Sequence, residues 1–154
     1  MDTKRITDIP GMAFLWKVDN LYLAGQPAVE SFEHLKALGI KKVINLRSSG
    51  EKDFSPEISK IEELGMSYEQ FPILDTHGHL CEENCKKLSE MIDTENIHFI
   101  HCGSANRVAG WLMTYLVLYR DFGFEAAVEI ATHSGLSSNA LIDQAQTIID
   151  KAQG

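Results

Sequence analysis

The sequence predicts a single α/β domain, with a mostly parallel central sheet and helices on both faces. Short β-branched or apolar segments alternate with amphipathic ones through the middle of the chain, which is typical of parallel strands joined by helices. A length of 154 residues fits one domain, 1–154, which can bury a core without disulfides or metals.

The first predicted elements are a hairpin and a helix. Apolar segments predict strands at 14–18 and 21–24, on either side of a turn at Asp19 and Asn20. The breaker Gly25-Gln26-Pro27 ends the second strand. Segment 28–38 follows as a helix, because its apolar residues recur every three positions.

The rest of the chain continues the alternation. The patterns predict strands at 42–46, 68–73 and 97–101, and helices at 56–64, 82–92, 108–119, 124–133 and 139–152. Polar segments containing Arg47, Asp75 and Cys102 come directly after the three strands. Because ligands of open α/β sheets bind at the carboxyl ends of the strands, we expect these three residues on one rim.

The segment that opens with Cys102 and closes with Arg107 has the composition of an anion-binding loop. It consists of small residues, and its backbone N–H groups meet the N-terminus of the next helix. Those amides and the Arg107 guanidinium are expected to lower the pKa of Cys102 from about 8.5 to roughly 3.5–7.5. Arg107 also offers a planar fork for two phosphate oxygens. The alternative is a buried cysteine in an ordinary turn. The intervening phosphate-binding candidates are Gly103, Ser104, Ala105 and Asn106.

His101-Cys102, with Arg107 five positions beyond the cysteine, resembles the Cys-x5-Arg phosphate loop of the cysteine-dependent phosphatases. That superfamily contains the tyrosine and dual-specificity phosphatases. Segments 21–27, 35–40, 42–47 and 71–75 are also similar to a dual-specificity phosphatase domain, over roughly residues 20–120. The similarity is greatest to the small bacterial branch, which is related to tyrosine-phosphatase-like inositol phosphatases, and to the atypical plant and fungal branch.

The resemblance implies a catalytic role for each matching residue. Cys102 would attack phosphorus and form a phosphocysteine intermediate, which water then hydrolyses. Arg107 and the loop amides would stabilise the transition state. Asp75 would protonate the leaving oxygen, and His101 would orient the loop by hydrogen bonding.

The acid assignment has alternatives. Asp75 could instead cap its own loop. His77 and His79 are rival acids, because an unperturbed histidine has a pKa of about 6.5.

Two positions depart from the family pattern. Ala105 stands where the family usually has Gly, so the loop must tolerate or remodel its backbone dihedrals. Val108 stands where a Ser or Thr hydroxyl usually helps the thiolate to leave. We therefore expect slow hydrolysis of the intermediate, unless Ser104 substitutes for that hydroxyl.

The favoured substrate is phosphorylated inositol, with Arg47 and Lys52 meeting peripheral phosphates, and phosphotyrosine peptides are a near-equal alternative. A catalytically weak phosphate-binding module is a second class of function. Sulfur or arsenate chemistry ranks lower, because the sulfur-transfer relatives favour a shorter, differently shaped loop.

A competing site involves His77, His79, Cys81 and Cys85, which could surround Zn²⁺. Their spacing matches no common zinc module, so we expect no metal and no cofactor. A redox role for Cys81 or Cys85 is ranked equally low.

Composition limits the partners. A net charge of −8, from 14 basic and 22 acidic residues, argues against nucleic acid and anionic membranes, and it opposes anionic substrates at long range. The longest apolar run, 108–119, is too short for membrane insertion. Three cysteines and the lack of an apolar N-terminal signal favour a cytoplasmic location, with export of a longer precursor left open.

Overall fold

The computed structural model describes residues 1–154 and contains six strands and six α-helices. The strands are β1 (Thr3–Arg5), β2 (Leu15–Val18), β3 (Leu21–Ala24), β4 (Lys42–Asn45), β5 (Ser67–Gln70) and β6 (His98–His101). The helices are α1 (Ser31–Ala37), α2 (Ser55–Glu63), α3 (Glu82–Met91), α4 (Asn106–Tyr119), α5 (Phe124–Thr132) and α6 (Asn139–Gln153). A short 3-10 helix, Ser49–Glu51, follows β4.

All six strands belong to one sheet, in the order β1-β2-β3-β6-β4-β5. Strands β3, β6, β4 and β5 run parallel, whereas β1 and β2 extend the sheet as an antiparallel edge. The predicted fold class is therefore confirmed.

Two strands differ from the prediction. The sequence did not predict β1, because three mostly polar residues carry no strand pattern. Strand β5 ends at Gln70 and not at residue 73. Beyond Gln70, the amides of Phe71 and Ile73 still donate to the carbonyls of Asn45 and Leu46. Because a step of two residues here faces a step of one, the regular ladder ends at Gln70.

Side chains of successive β3 residues enter two separate cores. Leu21 and Leu23 join a cluster of 25 buried residues beneath α3, α4, α5 and α6. Tyr22 and Ala24 join a cluster of 11 buried residues beneath α1 and α2. Because side chains alternate across a strand, the two clusters lie on opposite faces of the sheet. Helices thus cover both faces, as predicted.

Helix α4 is the central helix of the larger core. Trp111 and Tyr115 are buried and stack at 5.1 Å between ring centroids. Tyr119, one turn further on, is 41% exposed. None of the helices has the length and apolarity that crossing a membrane requires.

Neighbouring strands hold the end of β6 from both sides. The Leu46 amide donates to the His101 carbonyl at 2.8 Å, and the Cys102 amide donates to the Ala24 carbonyl at 3.1 Å. Next to it, the Gln26 amide donates to the Gly103 carbonyl at 2.8 Å. The start of the cysteine loop is therefore fixed by backbone hydrogen bonds.

We predict that Gly25→Ala destabilises this junction. An added Cβ would lie 2.9 Å from the Gly103 carbonyl oxygen and 3.0 Å from the Phe14 ring. Such overpacking should lower the free energy of unfolding by about 1–3 kcal/mol, measured by urea denaturation. Gly50→Ala is the control, because a Cβ there meets no atom within 4 Å. Equal stability of the two variants would contradict the prediction.

Candidate active site

The cysteine loop connects β6 to α4. Four residues, 103–106, separate Cys102 from Arg107, so the Cys-x5-Arg assignment is wrong by one residue. The fifth position after the cysteine is Arg107 itself. The loop is therefore one residue shorter than the tyrosine-phosphatase motif. Sulfur transfer was considered less probable because the proteins that catalyse it favour a shorter loop. Since the loop of this protein is also shorter, that argument no longer applies.

Backbone amides surround the Cys102 thiol. The backbone N–H groups of Ala105, Arg107 and Val108, at the N-terminus of α4, act to lower the pKa of this thiol, and the residue is 0% exposed. Burial raises the pKa of Cys102, and this effect exceeds the opposite effects of the three amides and the Arg107 charge. The expected lowering of the pKa is therefore wrong for this closed conformation, because it took no account of burial.

Ala105 adopts the left-handed backbone conformation that favours glycine, with φ of +75°. An L-residue in this region costs about 1–2 kcal/mol. The Ala105 side chain is buried opposite Gly135, where an added Cβ would lie 3.1 Å from it and 2.8 Å from the Trp16 ring. The loop thus keeps its dihedrals, and the missing side chain at position 135 leaves room for the alanine.

Asn106 ties the loop to the connection between α5 and α6. Its side-chain oxygen accepts from the Ser137 amide at 2.7 Å and the Ser138 amide at 3.1 Å. Its amide nitrogen donates to the Ser104 hydroxyl at 3.3 Å. Asn106 and Ser104 therefore stabilise the shape of the loop.

A carboxylate occupies the Arg107 fork. The two terminal nitrogens of Arg107 each donate to one oxygen of Glu51 at 2.8 Å, and Arg47 Nε donates to the same carboxylate at 3.1 Å. The Ser48 amide adds a fourth hydrogen bond at 2.6 Å. These bonds, chiefly the one from Arg107, lower the pKa of Glu51 to about 2. Glu51 is therefore ionised at neutral pH and occupies both terminal nitrogens of the Arg107 guanidinium.

Behind the loop lies a buried polar network. His101 Nε2 lies 2.8 Å from Glu57 Oε2, and His101 Nδ1 lies 3.2 Å from the Cys102 carbonyl oxygen. Gln26 donates to the other Glu57 oxygen at 2.6 Å and accepts from Arg47 at 3.0 Å. The network connects Arg47 to the backbone of the candidate nucleophile.

Sequence reasoning missed Gln26, Glu51 and Glu57. Glu57 precedes the buried Ile61 by four positions, so an acidic residue on the core face of a helix was the available signal. Ser48-x-x-Glu51 is a capping box, which indicates a helix start but gives no information on Arg107.

Asp75 lies apart from these contacts. It is exposed, and its carboxylate accepts from the amides of His79 and His77, which lower its pKa. It lines a depression with Asp143 and Gln144, and its hydrogen bonds reach neither Cys102 nor Arg107. A general acid needs the opposite pKa shift. Hydrogen bonds thus join Arg47 to the Cys102 loop, whereas the Asp75 carboxylate caps its own turn, which was the alternative interpretation of this residue.

The competing zinc site does not form. The structure brings together no group of three or more His, Cys, Asp or Glu side chains that could hold a metal. His77 and His79 are exposed, whereas Cys85 is buried. Burial raises the pKa of Cys85 to about 12, so its thiol is unreactive at neutral pH. All three cysteines are free.

Comparison with known proteins gives matches among solved structures only. No family model matches the chain, and no curated protein matches it. A DUF442 protein from Shewanella putrefaciens CN-32, named as a candidate phosphatase, is 20% identical, with a TM-score of 0.71 over 93% of this chain and 95% of that one. Tk-PTP in its active form is 15% identical, with a TM-score of 0.72 over 92% and 98% of the two chains.

TpbA from Pseudomonas aeruginosa, solved in complex with phosphotyrosine, is a further match. It is 15% identical, with a TM-score of 0.69 over 93% of this chain and 91% of that one. At these identities the likeness shows the fold. The chain therefore has the α/β fold found in these phosphatase structures.

We predict that Glu51→Gln strengthens oxyanion binding. A neutral amide competes less well than a carboxylate for the Arg107 fork, so the affinity for tungstate should rise about tenfold, measured by isothermal titration calorimetry. Glu83→Gln removes the same charge from the exposed Lys87 pair on α3 and is the control. Weaker binding in Glu51→Gln would show that Glu51 positions Arg107 for the anion instead.

Proposed function

We propose that the protein is a cysteine-dependent phosphomonoester hydrolase. The observation that carries this proposal is the anion-binding arrangement at one helix N-terminus. Three loop amides face the Cys102 thiol, and beside it Arg107 and Arg47 already bind a carboxylate. This receptor matches the size and charge of a phosphoryl group.

The reaction proceeds in two displacements at phosphorus. The Cys102 thiolate forms a bond to phosphorus while the ester oxygen leaves and takes a proton. Water then attacks the phosphocysteine, and inorganic phosphate and the thiolate are released. Arg107 and the loop amides stabilise the equatorial oxygens in both steps. Because Cys102 is buried and Glu51 holds Arg107, substrate binding must displace Glu51 and open the loop.

The charges favour a substrate with one phosphate group. Arg47 and Lys52 were the two cations expected to bind the peripheral phosphates of an inositol phosphate. Arg47 is already bound to Glu51 and Gln26, so only the exposed Lys52 is left for this role. An inositol polyphosphate would need more positive charge than this rim offers. Phosphotyrosine, the ligand in the TpbA structure, carries a single phosphate. We therefore place phosphotyrosine ahead of phosphorylated inositol.

The deciding experiment is an initial-rate panel of p-nitrophenyl phosphate, phosphotyrosine peptides, phosphoserine peptides and inositol phosphates. Vanadate-sensitive hydrolysis that Cys102→Ser abolishes is the expected result. The rate should rise with pH through neutrality, since the raised pKa of Cys102 makes the thiolate scarcer at lower pH. A burst followed by slow turnover would agree with the missing hydroxyl at Val108. Tungstate binding without turnover would identify a phosphate-binding module instead.

Sulfur transfer is a second candidate, because four residues separate Cys102 from Arg107. The same thiolate would take a sulfane sulfur from thiosulfate, form a persulfide and release sulfite. Cyanide would then accept that sulfur as thiocyanate. Thiocyanate formation without phosphate release would select this function over phosphoester hydrolysis.

Asp75 remains our proposed general acid, on the condition that turn 75–79 rearranges when substrate binds. Asp75→Asn keeps the side-chain oxygen that caps this turn but removes the acidic proton. Turnover of an alkyl phosphate should fall about 100-fold, with unchanged tungstate affinity and a smaller effect on p-nitrophenyl phosphate, whose leaving group needs little protonation. Wild-type rates would move the role to His77 or His79, which histidine variants would then separate.

A further inference from the structure

His101 and Glu57 form a buried pair that the proposed chemistry does not use. His101 is 0% exposed and Glu57 is 3% exposed, although they belong to β6 and α2, respectively. Their side chains meet at 2.8 Å between Nε2 and Oε2. Burying an ionisable pair is costly unless its hydrogen bonds are satisfied, so each bond in this network restricts where the protons can be.

Both ring nitrogens of His101 face hydrogen-bond acceptors. Nδ1 lies 3.2 Å from the Cys102 carbonyl oxygen, which can only accept. Nε2 faces Glu57, whose second oxygen accepts from Gln26 at 2.6 Å. An ionised carboxylate also can only accept. While Glu57 is ionised, both ring nitrogens therefore face acceptors, and the ring satisfies both only with a proton on each nitrogen.

We propose that Glu57 is a positioning residue that acts through His101 and keeps its ring doubly protonated behind the nucleophile loop. The positive ring belongs to the residue that immediately precedes Cys102, and Glu57 reaches it from the far side. The ring would then favour the thiolate over the thiol. This inference rests on the proposed role of Cys102 as a nucleophile, but not on the choice between phosphoryl and sulfur transfer.

Few other charges act on the pair. Arg47 approaches Glu57 through the bridging Gln26, and the Tyr68 hydroxyl on β5 lies within electrostatic range of Glu57. On its own strand, His101 has the apolar Phe99 at 6.1 Å between ring centroids. On the solvent side of the loop, Glu51 holds the Arg107 charge. The His101 ring is therefore an ionisable group in direct contact with the Cys102 backbone, whereas the Arg107 charge is paired with Glu51.

Glu57→Gln tests the role without removing the side chain. A glutamine can still accept from Gln26 and can donate to Nε2, which then needs no proton. We expect the pH midpoint for iodoacetamide alkylation of Cys102 to rise by about one unit, and alkylation at pH 7 to slow about tenfold. The reaction is followed at Cys102 by mass spectrometry, in a Cys81→Ser background. An unchanged midpoint would overturn the proposal.

Two controls separate positioning from structure. Glu62→Gln, exposed on the same helix, removes the same charge and should leave the midpoint unchanged. In a His101→Asn background, Glu57→Gln should have no further effect, because Glu57 acts through the ring. A full effect in that background would overturn the assignment.

The wild-type protein provides a test that does not depend on the folding of any variant. Nitrogen-15 NMR should show both ring nitrogens of His101 protonated at pH 7, whereas a neutral tautomer would overturn the proposal. Alkylation and NMR require no turnover. A shifted alkylation midpoint with no hydrolysis of any phosphoester would therefore refute the proposed function and leave the role of Glu57 standing.

Discussion

The central position of β6 is the constraint on which the candidate site depends. Parallel pairing with β3 on one side and β4 on the other leaves this strand no freedom to slide, because a shift of one residue would turn its core side chains to the opposite face. Cys102 is the first residue after this strand. The sheet therefore fixes the thiol, and the helix that starts four residues later fixes the amides around it.

Local positive charge allows an acidic protein to bind the anionic ligand that we propose. With a net charge of −8, the whole molecule repels phosphate at long range. At the loop, two arginines and the amides of a helix N-terminus create a positive region. Glu51 occupies the Arg107 guanidinium in this structure, and Glu57 holds Gln26, which accepts from Arg47. Such short-range attraction weakens little with salt, since buried and half-buried pairs are poorly screened.

Much of the fold could be predicted from the sequence, because strand and helix patterns depend on neighbouring residues. The Cys102 and Arg107 loop was visible for the same reason. The Glu51–Arg107 contact joins residues 56 positions apart, and the His101–Glu57 contact joins residues 44 positions apart. No local sequence pattern indicates a contact between residues so far apart in the chain. The capping role of Asp75 was one of two interpretations that the sequence left open, because an aspartate in a polar loop fits either one.

The close approach of Ala105 and Gly135 couples two distant parts of the chain. One small volume beside the Trp16 ring holds the methyl group of residue 105 and has no room for a second one at residue 135. A side chain at position 135 would also meet the Trp16 ring, and the φ of +105° at that position favours glycine by itself. The connection before α6 is therefore confined to glycine at position 135, and this glycine leaves the cysteine loop room for one methyl group at position 105 and nothing larger on that side.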